Sequence, residues 1–173
     1  VDLEFELTKF LIIKINIKCI SILAFLFFAK PLFAFSYTLD EYAKNPFANV
    51  LFIRHTLAPG FGDPQNFDLN DCSSQRNLSV EGREQAHRIG RKIKETGIKF
   101  SKIYSSQWCR CMETAKYMNL GGINAEQSLN SFFQGIVSKD KTLSILRKKL
   151  NSIEVKKQFV LMITHQVTIT AIT

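Results

Sequence analysis

The sequence predicts an α/β fold of three layers, a mainly parallel central sheet with helices on both faces. Three observations carry this. Residues 50–53 (VLFI) and 159–163 (FVLMI) are too uniformly apolar for one-sided strands, so both read as buried strands, the first of them central and covered on both faces. Residues 79–96 and 140–153 repeat their apolar positions at the helical period of 3.6. The order strand, helix, strand, helix, helix, strand then requires helical crossovers, which make neighbouring strands parallel. A length of 173 residues with 46% apolar content gives one domain a sizeable core and argues against disorder.

The first 36 residues read as a targeting segment. Lys9, Lys14 and Lys18 precede the apolar run 19–29 (CISILAFLFFA), which has the length of a signal peptide's apolar region and is too short for a full span. The small residues Ala34 and Ser36 place a cleavage site near 34–36. An uncleaved anchor in the inner membrane is the alternative, and the chain opens on Val1 rather than on a methionine. The expected organisation is therefore residues 1–36 as signal peptide or anchor and 37–173 as the globular domain, exported to the periplasm. The membrane is a partner only through the N-terminal segment.

Behind the formal charge of +8 stand 23 lysines and arginines, of which Lys9, Lys14, Lys18 and Lys30 lie in the first 35 residues and most others are spread over helix faces; no basic stripe is interleaved with aromatics, which argues against nucleic acid as partner. Past the leader three cysteines remain, and in an oxidising compartment they permit one disulfide. Cys72 can pair with Cys109 or with Cys111; a Cys109 to Cys111 bond is strained, because neighbours two apart on a helix point away from each other. The C-x-C pair lacks a second pair at zinc-binding spacing, so no metal is expected.

The remaining elements follow in order. Residues 38–45 form a short polar helix before Pro46. The strand 49–56 (NVLFIRHT) ends abruptly in Arg54 and His55, and in open α/β sheets ligands gather outside the carboxyl ends of strands. The connection 58–77, rich in Gly, Pro, Asp and Asn, is long enough to be a lid or binding loop. Ser79 caps a helix stopped by Gly97, with Ala86, Ile89 and Ile93 as its buried stripe, Gly82 and Gly90 allowing close packing, and His87 facing solvent. A strand over 98–105 leads to a helix whose first turn carries Arg110, where orphan N–H groups and a guanidinium together attract anions. Glu113, three residues on, is a rival partner for that arginine. Residues 119–139 are loop-rich. Asp140 caps the last predicted helix, with Leu143, Leu146, Leu150 and Ile153 as its seam, and the strand 159–163 ends in Thr164 and His165.

Four motifs in this order, Leu51-Phe52-Ile53-Arg54-His55, residues 77–86 (NLSVEGREQA), Ser105-Ser106 with Arg110, Thr114 and Ala115, and Thr164-His165, resemble the histidine phosphatase superfamily with its phosphoglycerate mutase-like fold. The resemblance spans roughly residues 48–173. It implies that His55 attacks phosphorus and carries a phosphohistidine, while Arg54, Arg110 and His165 surround the phosphoryl oxygens as a cationic clamp. It implies no metal and no cofactor. The expected partner is a phosphorylated small molecule, glycolipid or phosphoprotein; the small exported members, among them those acting on lipopolysaccharide core phosphate, are the nearest analogy.

The chain departs from the family pattern at several points. Thr56 stands where glycine is commonest. Gln166 follows His165, where the phytase and acid phosphatase branch has an acid. Glu126 is the only carboxylate between Thr114 and Asp140, where the mutase branch is acid-rich. The proton donor is accordingly Asp63, Glu126 or neither, with Asp63 favoured because its loop starts beside His55. The family continues past its last histidine, so the chain looks cut short at Thr173. A non-catalytic phosphate or phosphoprotein binding module on the same fold is the alternative function.

Overall fold

The computed structural model describes residues 38–44, 46, 48–153 and 159–173; the expected leader lies outside them. The described elements are α1 (Leu39–Lys44), β1 (Val50–Arg54), α2 (Val80–Glu95), β2 (Phe100–Ser105), α3 (Cys109–Met118), β3 (Ile123–Ala125), α4 (Lys139–Asn151), β4 (Phe159–Thr164) and α5 (Gln166–Ile172). The strands form one all-parallel sheet in the order β1-β4-β2-β3.

Period-two alternation in β4 divides the core. Leu161 and Ile163 pack with Ala86 and Ile93 of α2, with Trp108 just before α3, and with Cys111, Ala115 and Met118 of α3. Val160 and Met162 face the other way, onto Leu146 of α4 and Leu129. The predicted three layers are therefore present, α2 and α3 on one face, α4 and α5 on the other. Buried through five of its six residues, β4 is the central strand. β1 instead lies at an edge of the sheet of described residues and is only half-buried. Its uniform apolarity reports two covered faces, Leu51 and Ile53 on one core and Val50 and Phe52 on the other, and not two flanking strands.

Local signals place the helices. Ser79 Oγ accepts from Gly82 N at 3.1 Å, and Gly97 follows α2 at φ +77°, a left-handed turn that glycine adopts freely. At Gly82 and Gly90 any Cβ would run into the carbonyl oxygens of Leu57 and Met118, which is how α2 approaches both the β1 exit and α3 so closely. Ser138 and not Asp140 caps α4, Asp140 lying inside its first turn, where a negative charge suits the helix dipole. Within the loop-rich stretch, the short strand β3 and two 3-10 turns had no periodic signal to reveal them.

Candidate active site

Register brings the site together. Arg54 pairs with Thr164 across β1 and β4, and Ser105 with Ile163 across β2 and β4, so three strands end level. The backbone continues the alignment: His55 N donates to Thr164 O and Ser106 N to Ile163 O, each at 2.9 Å. The rings of His55 and His165 consequently lie 5.4 Å apart. Both residues are buried, and with Arg54 and Arg110 they line a cavity of about 160 Å³. A larger cleft, about 500 Å³, opens from the same Arg54 and His55 toward Gln85 and Arg88 of α2.

His55 Nδ1 lies 2.8 Å from the carbonyl oxygen of Thr56. A carbonyl only accepts, so Nδ1 carries the proton and Nε2 keeps its lone pair. Burial lowers its pKa to about 4 against the raising effect of that hydrogen bond, helped by the charges of Arg110, Arg76 and Arg54. At neutral pH the ring is uncharged, with its lone pair on Nε2. Thr56 ties the β1 exit to α3: its N–H donates to Thr114 Oγ1 at 3.1 Å, and that hydroxyl donates to Arg110 O at 2.7 Å.

His165 corrects one expectation. Burial first, then Arg110, His55, Arg76 and Arg54, hold its pKa well below the usual value, so it is neutral and adds no cation to the clamp. Its Nε2 lies 3.0 Å from Ser106 Oγ, and Arg110 Nη2 donates to its Nδ1 at 3.5 Å. The third cation facing the cavity is Arg76, which sequence reasoning missed. Arg76 donates through Nε to Gly62 O at 2.8 Å and through Nη1 to Ala58 O, bracing both arms of the 58–77 loop. The one signal that could have found it was its position at the end of a loop whose two ends meet, where Ser79 N donates to Leu57 O at 3.1 Å. Arg54 is exposed, and no described residue pairs with its guanidinium.

Neither candidate acid is placed to donate a proton. Asp63 is bound by Arg110, with Nη1 to Oδ1 at 2.7 Å and Nη2 to Oδ2 at 3.1 Å, and also receives Trp108 Nε1 at 3.0 Å and Arg76 N at 3.1 Å. Burial raises its pKa, but these donors and the Arg110 charge outweigh it and the net shift is downward. Such a carboxylate is unprotonated at neutral pH. Glu126 lies outside the cavity, joined to Lys149 at 2.6 Å and to Ser128; burial opposes these partners, and they prevail in lowering its pKa. The expected rival of the clamp, Glu113, pairs with Arg83 at 3.8 Å instead. Exposed His87 stands apart from the cavity, edge-on to Tyr117.

Of the two disulfide pairings left open, the structure has Cys72 to Cys109; Cys111 is a buried free thiol, pushed up to about 12 by burial against the lowering effect of Arg110.

The parallel α/β sheet thus ends in two buried histidines, with three arginines lining the same cavity. A sequence model of the histidine phosphatase superfamily (branch 1) matches residues 51–135, and the chain belongs to that superfamily. Among curated relatives, the mitochondrial serine/threonine-protein phosphatases Pgam5 of Drosophila persimilis and Drosophila virilis are 30% and 29% identical over 77 residues. That match takes in 44% of this chain and 24% of theirs, so the chain spans about a quarter of those relatives. Among solved structures, the protein histidine phosphatase SixA complexed with tungstate aligns with a TM-score of 0.50 at 18% identity, over 69% of this chain and 70% of that one. A protein described as phosphohistidine phosphatase SixA from Agrobacterium tumefaciens aligns at 0.51 and 20%, over 72% and 73%. Both likenesses are of fold.

Proposed function

We propose that this protein is a phosphatase that passes a phosphoryl group from its substrate to His55 and then to water, without a metal. The observation that carries the reading is the state of His55: Nδ1 committed to Thr56 O, Nε2 free, and three arginines facing the same cavity. The Nε2 lone pair forms the N–P bond while the bond from phosphorus to the leaving atom breaks, that atom keeping its electron pair. Arg54, Arg76 and Arg110 stabilise the charge on the phosphoryl oxygens. Water then cleaves the N–P bond.

The substrate class follows from the two committed carboxylates. Glu81, the carboxylate that lines the wider cleft, is exposed and held at the start of α2 by hydrogen bonds that lower its pKa, so none of the three is poised as an acid. Without an acid to protonate it, a simple alkoxide leaves slowly, and general acid catalysis typically supplies about 10² to 10⁴. The substrate therefore has a good leaving group: an aryl or acyl phosphate, a diphosphate, or a phosphohistidine, the substrate in the names of the two SixA neighbours. Its carrier is a small molecule, a glycolipid or a phosphoprotein. The Cys72–Cys109 disulfide supports an oxidising workplace and thus export, which mass spectrometry of the mature N-terminus tests.

Quenching the full chain during turnover of radiolabelled substrate is expected to leave an acid-labile, alkali-stable label on His55. A label on serine or threonine defeats this mechanism. Release of p-nitrophenol from p-nitrophenyl phosphate, abolished in His55→Ala, separates the enzyme from a non-catalytic phosphate-binding module.

A further inference from the structure

Three successive residues at the start of α3 are each held by the 58–77 loop. Trp108 Nε1 binds Asp63; Cys109 is bonded to Cys72, and its N–H donates to Gln75 Oε1 at 2.9 Å; Arg110 is gripped by Asp63 and by the carbonyl of Arg76 at 3.3 Å. Asp63 is the centre of this grip. It accepts four hydrogen bonds, and its side chain and that of Arg110 are each only 3% exposed.

The carboxylate stands behind the guanidinium and not in front of it. Arg110, Gly60 and Gly62 line the cavity while Asp63 does not, and about 160 Å³ stays open with the ion pair formed. A gate that phosphate must displace would occupy that space. The donors of Arg110 can be followed one by one. Nη1 serves Asp63 and the Arg76 carbonyl; Nη2 serves Asp63 and, at 3.5 Å, His165. Nε is buried with no partner. An incoming phosphoryl group can take Nε and exchange only the long contact to His165, pairing with the side edge of the fork while Asp63 keeps its end. Charge agrees: three arginines and one carboxylate leave a net +2, the complement of a phosphate dianion.

We propose that Asp63 is the positioning residue of the phosphoryl clamp, fixing Arg110 by its terminal nitrogens so that its Nε edge receives the phosphoryl oxygens. This rests on the phosphatase reading above. Asn in place of Asp keeps the size but puts an NH₂ against two donors, so Arg110 loses its fixed orientation.

The test compares four full-length, oxidised proteins: wild type, Asp63→Asn, Arg110→Ala and the double variant. Each is assayed on p-nitrophenyl phosphate and on glycerol 2-phosphate, and each is titrated with inorganic phosphate by calorimetry. Asp63→Asn is expected to lower kcat/KM by about 10- to 100-fold, chiefly through kcat and by the same factor on both esters, and to shift the phosphate dissociation constant about threefold or more. In the Arg110→Ala background neither quantity should change further. Losses that multiply in the double variant overturn the proposal, as does a loss confined to the alkyl ester, which would mark Asp63 as a proton donor. Arg110→Ala strands a buried carboxylate; should it fail to fold, the ester comparison and the kcat against KM split in Asp63→Asn decide alone. Absence of turnover in the wild type defeats the phosphatase reading, and the phosphate constants then decide on Asp63.

Discussion

At the scale of single residues, burial sets the working states. The lowered pKa of His55, about 4, means that the folded chain resists protonating this ring while the unfolded chain does not. A depressed pKa contributes stability that is present in full above the unfolded value, near 6.5, and lost as pH falls through the folded one. For His55 this amounts to roughly 3 kcal/mol between about pH 6.5 and 4, with His165 adding in the same direction. Denaturant midpoints should therefore drop across that window, and His55→Asn should flatten part of the slope. A profile of kcat/KM should keep its acid limb near pH 4; a limb at 6.5 would mean that the nucleophile titrates as an exposed imidazole. Arg76 permits a second expectation. If it shares the clamp, Arg76→Ala lowers kcat/KM by about 10² or more, and lysine restores it only in part, having no planar fork. Unchanged kinetics in Arg76→Ala would reduce it to a brace for the loop carbonyls of Ala58 and Gly62.

At the scale of elements, the 58–77 loop and the first turn of α3 work as one piece, fastened by Cys72–Cys109 across 37 residues of sequence. In the chain-entropy account a closed loop of that size stabilises by roughly 4 kcal/mol, and more depends on it than stability, because Cys109 precedes Arg110 directly. Reduction, or Cys72→Ser, is expected to lower the unfolding free energy by a sizeable part of that amount and to lower kcat as the clamp loosens. Chemical denaturation with and without dithiothreitol reads the first effect and steady-state assays the second. An unchanged denaturation midpoint on reduction would show that the hydrogen bonds from Asp63 and Gln75 hold the loop without covalent help. Gly82 and Gly90 belong to the same scale, since both set the seat of α2 against backbone carbonyls.

For the whole molecule, what could be read beforehand was what repeats or alternates. The apolar runs at 50–53 and 159–163 and the periodic stripe of α2 gave the layers, and Arg54, His55, Arg110 and His165 lay where strand ends and a helix start made them conspicuous. Arg76 and the true partner of Asp63 were hidden because contacts 34 to 47 residues apart in sequence leave no local pattern. The neutrality of His165 was hidden for a related reason: it arises from burial, which only the assembled fold creates. Charge is the one global property available from composition, and it carries a last expectation. Residues 1–36 hold four lysines and three acids, Asp2, Glu4 and Glu6, so +7 of the formal +8 belongs to residues 37–173. On the phosphatase reading, a dianionic substrate is therefore drawn toward the molecule before it meets the arginines of the cavity. The screening length shrinks from about 30 Å at 0.01 M salt to about 10 Å at 0.1 M, which removes that distant attraction but not the pairing of phosphate with buried guanidinium. Hence kcat/KM should fall by about threefold or more over that range while kcat stays level. Measuring both in sodium chloride, with a neutral osmolyte as control, reads the difference; a kcat that falls in step with kcat/KM would mean that salt acts inside the pocket and not on the approach to it.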